Sequence, residues 1–347
     1  MKNNRNFLFY GVGSVAFGIK GNAFSWFLFF YYNMVIGLPA WMASLALAIA
    51  TIWDAISDLI IGYSSDHTKS RLGRRHPYMY AALIPVPIFF VLLWNPPTFD
   101  TDFNLFLYLL IMAILVRTFT TLFEIPNQSL GPEITREYHE RTKMMSLRYF
   151  FGWMGGTIMT ILMYFVFLKP TAEYPNGQLN PEGYQIYGIV AAIIMLVAMI
   201  ISSRGLNHLI PNLSKPAANN NFSEIKDELK STLLNKSFLV LFIGGIFAGM
   251  AAGFSSALNI YFNTFFWGFS TFQIGIVSFV AVVPGIICSM SIARVLSKNI
   301  GKRKAAIICG SIALVLTPVP YALRIFELAP SFGSNGLLLM MSTYYFI

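Results

Sequence analysis

Charge is what this sequence has least of. Charged residues make up 11% of the 347 positions, while hydrophobic residues make up 56%. A soluble globular domain carries roughly 25% charged residues. With a mean hydropathy of +0.62, the shortfall excludes an ordinary soluble domain and points to a polytopic membrane protein. Cysteine is almost as scarce: Cys288 and Cys309 both sit in apolar stretches, which excludes a disulfide framework and a thiolate metal site. No loop pairs a nucleophile with a base or gathers metal ligands, so the chain is not expected to be an enzyme.

What is present is a series of long apolar runs. Ten can be read, near 7–36, 41–63, 78–95, 103–130, 144–168, 184–203, 237–264, 272–296, 305–323 and 337–347. Most reach the roughly 20 residues that a helix needs to cross the hydrocarbon of a bilayer. The first is too long for a signal peptide and lacks a small-residue cleavage site. The net charge of +9 is explained by where the basic residues fall. Most lie in the N-terminal tail and in the even-numbered connections, including Lys69, Arg71, Arg74, Arg75, Arg136, Arg141, Lys143, Lys302, Arg303 and Lys304. The odd-numbered connections hold only Lys169 and Arg324. By the positive-inside rule the N-terminus and the even loops are expected in the cytoplasm. The basic excess is a topology signal and not a nucleic-acid site.

The longest polar segment, 207–236, begins as an Asn-, Pro- and Ser-rich linker and ends in the charged stretch "FSEIKDELKSTLL". It divides the chain into an expected six-helix bundle over 1–206, a central cytoplasmic loop over 207–236 and a second bundle over 237–347. A weak repeat supports the division. "RLGRRHPYMYAA" follows the second segment and "NIGKRKAAIICG" the eighth, the placement expected of parallel six-helix halves. The final run, "GLLLMMSTYYFI", spans only about 16 Å as a helix. The second bundle is therefore expected to be truncated, lacking the rest of this helix and two more.

The ionisable groups left inside apolar segments are few: Lys20, Asp54, Asp58, Arg117, Glu124 and Arg148. Charge in a bilayer is costly and normally faces a bundle interior or a water-filled cavity, so these residues are expected to map one shared cavity. Asp54 and Asp58 are one turn apart and share a helix face with Thr51 and Ser57 beside it; Arg117, Thr121 and Glu124 share another. Lys20 lies about 20 Å along its helix from Phe7, too deep to snorkel easily to water. Ser14, Gly18, Gly21 and Ser25 form a small-residue stripe suited to close helix contact. Two adjacent carboxylates repel, and either a proton or a metal cation relieves this. Oxygen ligands from Asp, Ser and Thr suit Na⁺ or Li⁺, which makes Asp54 and Asp58 the candidate metal ligands. The plain structural alternatives are ion pairs: Asp58 with a loop arginine, Arg117 with Glu124 or an aspartate.

Four stretches, "WDAISD", "GYSSDHTKSRLGRRHP", "TLFEIPNQSLGPEIT" and "LRYFFGWMGG", together resemble the glycoside–pentoside–hexuronide:cation symporters of the major facilitator superfamily. The likeness runs through the first five segments and fades afterwards. It implies an all-α polytopic membrane protein of the major facilitator type, two six-helix bundles with the second truncated. It implies a cation site at Asp54, Ser57, Asp58 and Thr121, and solute contacts at Glu124 and Arg148. It also implies a latch between Asp66 and Arg74 at the loop after the second segment. Two family residues are missing: an aspartate in the first segment falls at Gly18, and a tryptophan that stacks on sugar falls at Gln128. Lys20 and Asn22 supply polar groups in the first segment instead.

The function implied is cation-coupled symport of a sugar or glycoside-like solute by alternating access, in the cell (inner) membrane, with Na⁺ or H⁺ as the coupling cation and no other cofactor. Lys20, Arg117 and Arg148 leave an anionic sugar acid or a lysolipid open as the solute. A non-transporting receptor would have no strict need of Asp54.

Overall fold

The computed structural model describes residues 2–135, 137–213, 232, 234–280, 296 and 299–346. Among these residues the secondary structure is helical, with no strand. The first helix, α1 (2–35), is not uniform. Lys2–Val12 and Ser14–Asn22 are α-helical on either side of a turn at Gly13, and Ala23–Phe27 and Tyr31–Val35 are π-helical. Then come α2 (Ala40–His67), α3 (His76–Trp94), α4 (Asp102–Ile134), α5 (138–167), α6 (Pro181–Gly205), α7 (Lys236–Phe266), α8 (Thr271–Val280), α9 (302–325) and α10 (Asn335–Phe346). Seven of them, α2 to α7 and the Ile307–Ile325 part of α9, are long and apolar enough to cross a membrane.

Helix ends reflect local chemistry. α4 starts at Thr101, whose hydroxyl accepts the Asn104 N–H at 3.3 Å, with Asp102 in the first turn; both features favour a helix N-terminus. α2 starts after Pro39, and Gly37 takes φ +94° in the preceding turn. α2 and α4 run past the apolar stretches 41–63 and 103–130 at their C-terminal ends. Hydropathy reports the hydrocarbon thickness, whereas backbone hydrogen bonding continues into polar residues. α4 carries Pro126 and Pro132 in its interior, tolerated where neighbouring helices satisfy the freed carbonyls.

The chain divides into two compact units, Met1–Thr160 with Pro181–Asn259, and Ile161–Asn180 with Ile260–Ile347. In the first, α2 packs on α4, and α6 packs on α1 and α3. The face of α2 carrying Ala46, Ala50, Ser57 and Ile61 is buried. Ile52, Ile56, Leu59 and Ile60 are exposed on the other side, as a lipid-facing surface requires. An aromatic cluster joins α1, α3 and α6: Tyr31 stacks on Tyr184 at 4.7 Å, and the Tyr31 and Tyr32 hydroxyls donate to the carbonyls of Trp94 and Leu93 at 3.0 and 2.8 Å. α1 meets α5 backbone to backbone. A Cβ on Gly18 would collide with the Gly152 carbonyl, and one on Gly156 would lie 2.7 Å from the Gly18 carbonyl. The small-residue stripe therefore works at Gly18, while Gly21 faces open space.

In the second unit the Thr264 hydroxyl bonds to the Gln178 side chain, and Gln178 Nε2 donates to the Phe269 carbonyl at 3.4 Å. Trp267 packs on Tyr321 with ring centroids 5.4 Å apart. Most of the central linker, Cys288 and the middle of the eighth apolar segment lie outside the described residues.

Candidate functional site

A cavity of about 390 Å³ opens in the first unit between α1, α4 and α5. Its walls are Ser14, Phe17, Gly18, Gly21 and Asn22 from α1, Glu124 and Gln128 from α4, and Arg148, Tyr149, Gly152 and Trp153 from α5. The α5 residues recur at i, i+1, i+4 and i+5, one face of a helix. Arg148 is the hub. Its Nη2 donates to Glu124 Oε1 at 3.3 Å and to Gln128 Oε1 at 3.4 Å, and its Nη1 to Asn127 Oδ1 at 3.4 Å. Asn127 in turn donates to the Ser202 hydroxyl at 3.1 Å. The Tyr10 ring lies 6.0 Å from the guanidinium, and the Ser14 hydroxyl donates to the Arg148 backbone carbonyl at 2.5 Å. Asn22 Nδ2 donates to the Thr160 hydroxyl at 3.1 Å. The Arg148 side chain is 8% exposed and that of Glu124 16%, so the ion pair is largely desolvated.

A second ionic cluster joins α1, α2 and α4. Asp54 Oδ2 accepts from Arg117 Nη1 at 2.5 Å and is 3.6 Å from Lys20 Nζ, and Asp54 Oδ1 accepts from the Thr121 hydroxyl at 3.2 Å. Arg117 lies over the Phe24 ring at 4.8 Å and Lys20 over Phe17 at 5.8 Å. The Ser57 hydroxyl is buried and donates back to the Asp54 carbonyl at 3.0 Å. Asp58, one turn further on, has no ion pair among the described residues.

The expected site residues fall into two groups. Asp54, Asp58 and Thr121 do not line the cavity that Glu124 and Arg148 line. Asp54 instead meets Lys20, Arg117 and Thr121. Lys20, expected among the solute contacts, is bound to Asp54 and is not a wall of the cavity. Of the structural alternatives, the pairing of Arg117 with an aspartate is the one observed. The anticipated loop arginine is not on Asp58 but further along, on Asp66.

That pairing forms a third cluster at the end of α2. Arg74 Nη1 lies 3.7 Å and Arg75 Nη2 2.9 Å from Asp66 Oδ1; Arg74 Nη2 and Arg75 Nε donate to Glu133 Oε1 at 2.7 and 2.6 Å. The expected Asp66–Arg74 contact is present. Arg75 and Glu133 were not anticipated, although a carboxylate near the C-terminal end of α4, within reach of a basic loop, was a usable signal.

A family model described as MFS/sugar transport protein matches residues 9–347. The chain belongs to that family. Its members are transporters, and the all-α, multi-pass membrane architecture expected from the sequence is theirs. The family chain is 32% identical over 217 residues to an uncharacterized symporter of Synechocystis, covering 61% of this chain and 40% of that protein. It is 26% identical over 312 residues to the isoprimeverose transporter of Lactiplantibacillus pentosus, covering 88% and 62%. It is 25% identical over 154 residues to the sodium-dependent lysophosphatidylcholine symporter 1 of Xenopus tropicalis, covering 44% and 29%. The chain thus spans less than two thirds of the length of the relatives it matches.

Cavity residues that sequence reasoning missed are Phe17, Tyr149 and Trp153, with Tyr10 and Asn127 behind them. Tyr149 and Trp153 share the helical face of Arg148, a pattern already present in "LRYFFGWMGG".

Proposed function

We propose that this chain forms part of a cation-coupled symporter for a sugar or glycoside-like solute. The observation that carries the reading is the neutrality of the cavity. Its two charged walls, Arg148 and Glu124, pair with each other. A pocket of about 390 Å³ falls within the range of small-molecule sites. Glu124, Gln128, Arg148 and Asn22 present acceptors and donors suited to hydroxyl groups, and the rings of Phe17, Tyr149 and Trp153 present apolar surface suited to a sugar face. Relatives point the same way: an isoprimeverose transporter, and a putative glycoside/cation symporter of Escherichia coli that is 28% identical over 42% of this chain.

In this reading 1–206 and 237–347 belong to two halves joined by a cytoplasmic 207–236 segment and alternating about a central solute site. The protein sits in the inner membrane with its N-terminus in the cytoplasm. The cation, Na⁺ or H⁺, acts at the Asp54–Asp58 turn with Ser57 and Thr121 beside it. A cation drives transport only through different interaction with the competing conformations, and a pair of carboxylates linked to α1 and α4 supplies such a difference. The Asp66–Arg74–Arg75–Glu133 cluster acts as the gate latch.

The anionic and lysolipid alternatives draw on the buried cations and on the lysophosphatidylcholine symporter similarity. Neither matches a cavity whose one cation is already neutralised. Uptake into proteoliposomes tests the reading, with a panel of neutral glycosides, hexuronates and lysolipids under imposed Na⁺ or proton gradients. Accumulation of neutral glycosides is expected. Accumulation of hexuronates or lysolipids alone would favour the corresponding alternative, and no accumulation under either gradient would remove symport.

A further inference from the structure

Asp54 is the carboxylate at which the family resemblance implies an alkali cation, yet protein cations are already there. Arg117 of α4 and Lys20 of α1 converge on a single oxygen, Oδ2, at 2.5 and 3.6 Å. Lys20 is buried and Arg117 half-buried, their side chains 8% and 14% exposed, and neither reaches another carboxylate within ion-pair distance among the described residues. Thr121 occupies the other oxygen. A third cation at Oδ2 would stand beside two existing charges in a region where repulsion is poorly screened. Nor do the two residents leave easily, because each would become an unpaired buried charge.

We infer that Lys20 and Arg117 are tethered counter-ions that fill the alkali-cation place at Asp54, so that the chain takes neither Na⁺ nor Li⁺ there. The consequence for transport rests on the symport reading above: the coupling ion is then the proton.

The first test needs only the cations themselves. Purified protein in detergent is unfolded thermally while choline chloride is replaced by NaCl or LiCl at constant ionic strength, up to about 100 mM. A cation that binds only the native state raises the Tm. The wild type is expected to give one Tm in all three salts. The double variant Lys20→Met with Arg117→Met keeps the apolar stems and removes both charges. It is expected to gain a saturable Na⁺ response, at least about tenfold tighter than any in the wild type. Saturable stabilisation of the wild type by Na⁺ overturns the inference, and so does a folded double variant without a Na⁺ response. Should the double variant not fold, equilibrium binding of radioactive Na⁺ to the wild type decides: no saturable binding upholds the inference, and saturable binding lost in Asp54→Asn overturns it. In vesicles, accumulation driven by a Na⁺ gradient at matched pH overturns proton coupling. Absence of accumulation under either gradient instead overturns symport, with the binding result unaffected.

Discussion

At Arg148 one cation is shared among three acceptors, Glu124, Gln128 and Asn127; at Asp54 one carboxylate holds two cations, Lys20 and Arg117. The two sites share only α4 between their paired residues and are similarly desolvated, but they fail differently. Loss of one acceptor at Arg148 leaves two others, and the cavity admits water. Loss of the carboxylate at Asp54 removes the one ion-pair partner that Lys20 and Arg117 have among the described residues. A site with redundant acceptors can exchange one of them for a ligand hydroxyl, as a binding site must. A site with one anion between two cations is better suited to hold three helices in register.

The largest effect should therefore come from Asp54→Asn. Breaking a buried pair by removing one partner typically costs about 3–5 kcal/mol. Thermal or denaturant unfolding in detergent should show a loss of that order, recovered in large part when Lys20→Met and Arg117→Met are added. Recovery would confirm that stranded charge is the cause; a mild phenotype for Asp54→Asn alone would erase the contrast between the sites.

Gly18→Val comes next. Its side chain would meet the Gly152 backbone, so α1 must move off α5, and overpacking of this kind costs about 1–3 kcal/mol. Because Lys20 and Asn22 ride on the same stretch of α1, both sites should loosen together. Unfolding and solute binding should fall in parallel; a loss of one alone would show that α1 does not couple them.

Glu124→Gln should cost less in stability, about 1–2 kcal/mol, because Arg148 retains Gln128 and Asn127. Its effect should be concentrated in solute affinity, by about tenfold or more, measured by equilibrium binding of a transported glycoside. A stability loss as large as that of Asp54→Asn would mean that the redundancy at Arg148 is not real.

The smallest effect on stability should come from Asp58→Asn. With no ion pair to break, the change should stay within about 0.5 kcal/mol, against several for its neighbour one turn away. Unfolding curves of the two aspartate variants, run side by side, give the sharpest form of the comparison.

The sequence by itself determined the class of molecule and the inventory of the site. A charge content of 11% left too few polar groups to solvate a soluble surface. The apolar runs located the membrane helices, and the cost of charge in lipid singled out Lys20, Asp54, Asp58, Arg117, Glu124 and Arg148. Helical periodicity put Asp54 near Asp58 and Thr121 near Glu124, each pair along one helix, because a 3.6-residue repeat is local and needs no tertiary information. It did not show that Thr121 reaches Asp54 while Glu124 meets Arg148. The Asp66–Arg74 contact was implied by the family resemblance, and only a short turn separates the two residues.

Tertiary structure alone decided which charge meets which. Lys20 and Arg117 had three half-buried carboxylates to choose from, and both took Asp54. Arg148, on a separate helix, took Glu124. The choice follows from how far α1, α2, α4 and α5 are rotated and how closely they cross, and contacts such as Gly18 against Gly152 set that distance. Coulomb energy in a weakly polar interior changes steeply over a few ångströms, so small differences in helix approach reassign partners. Composition and periodicity name the charges but carry no record of those distances.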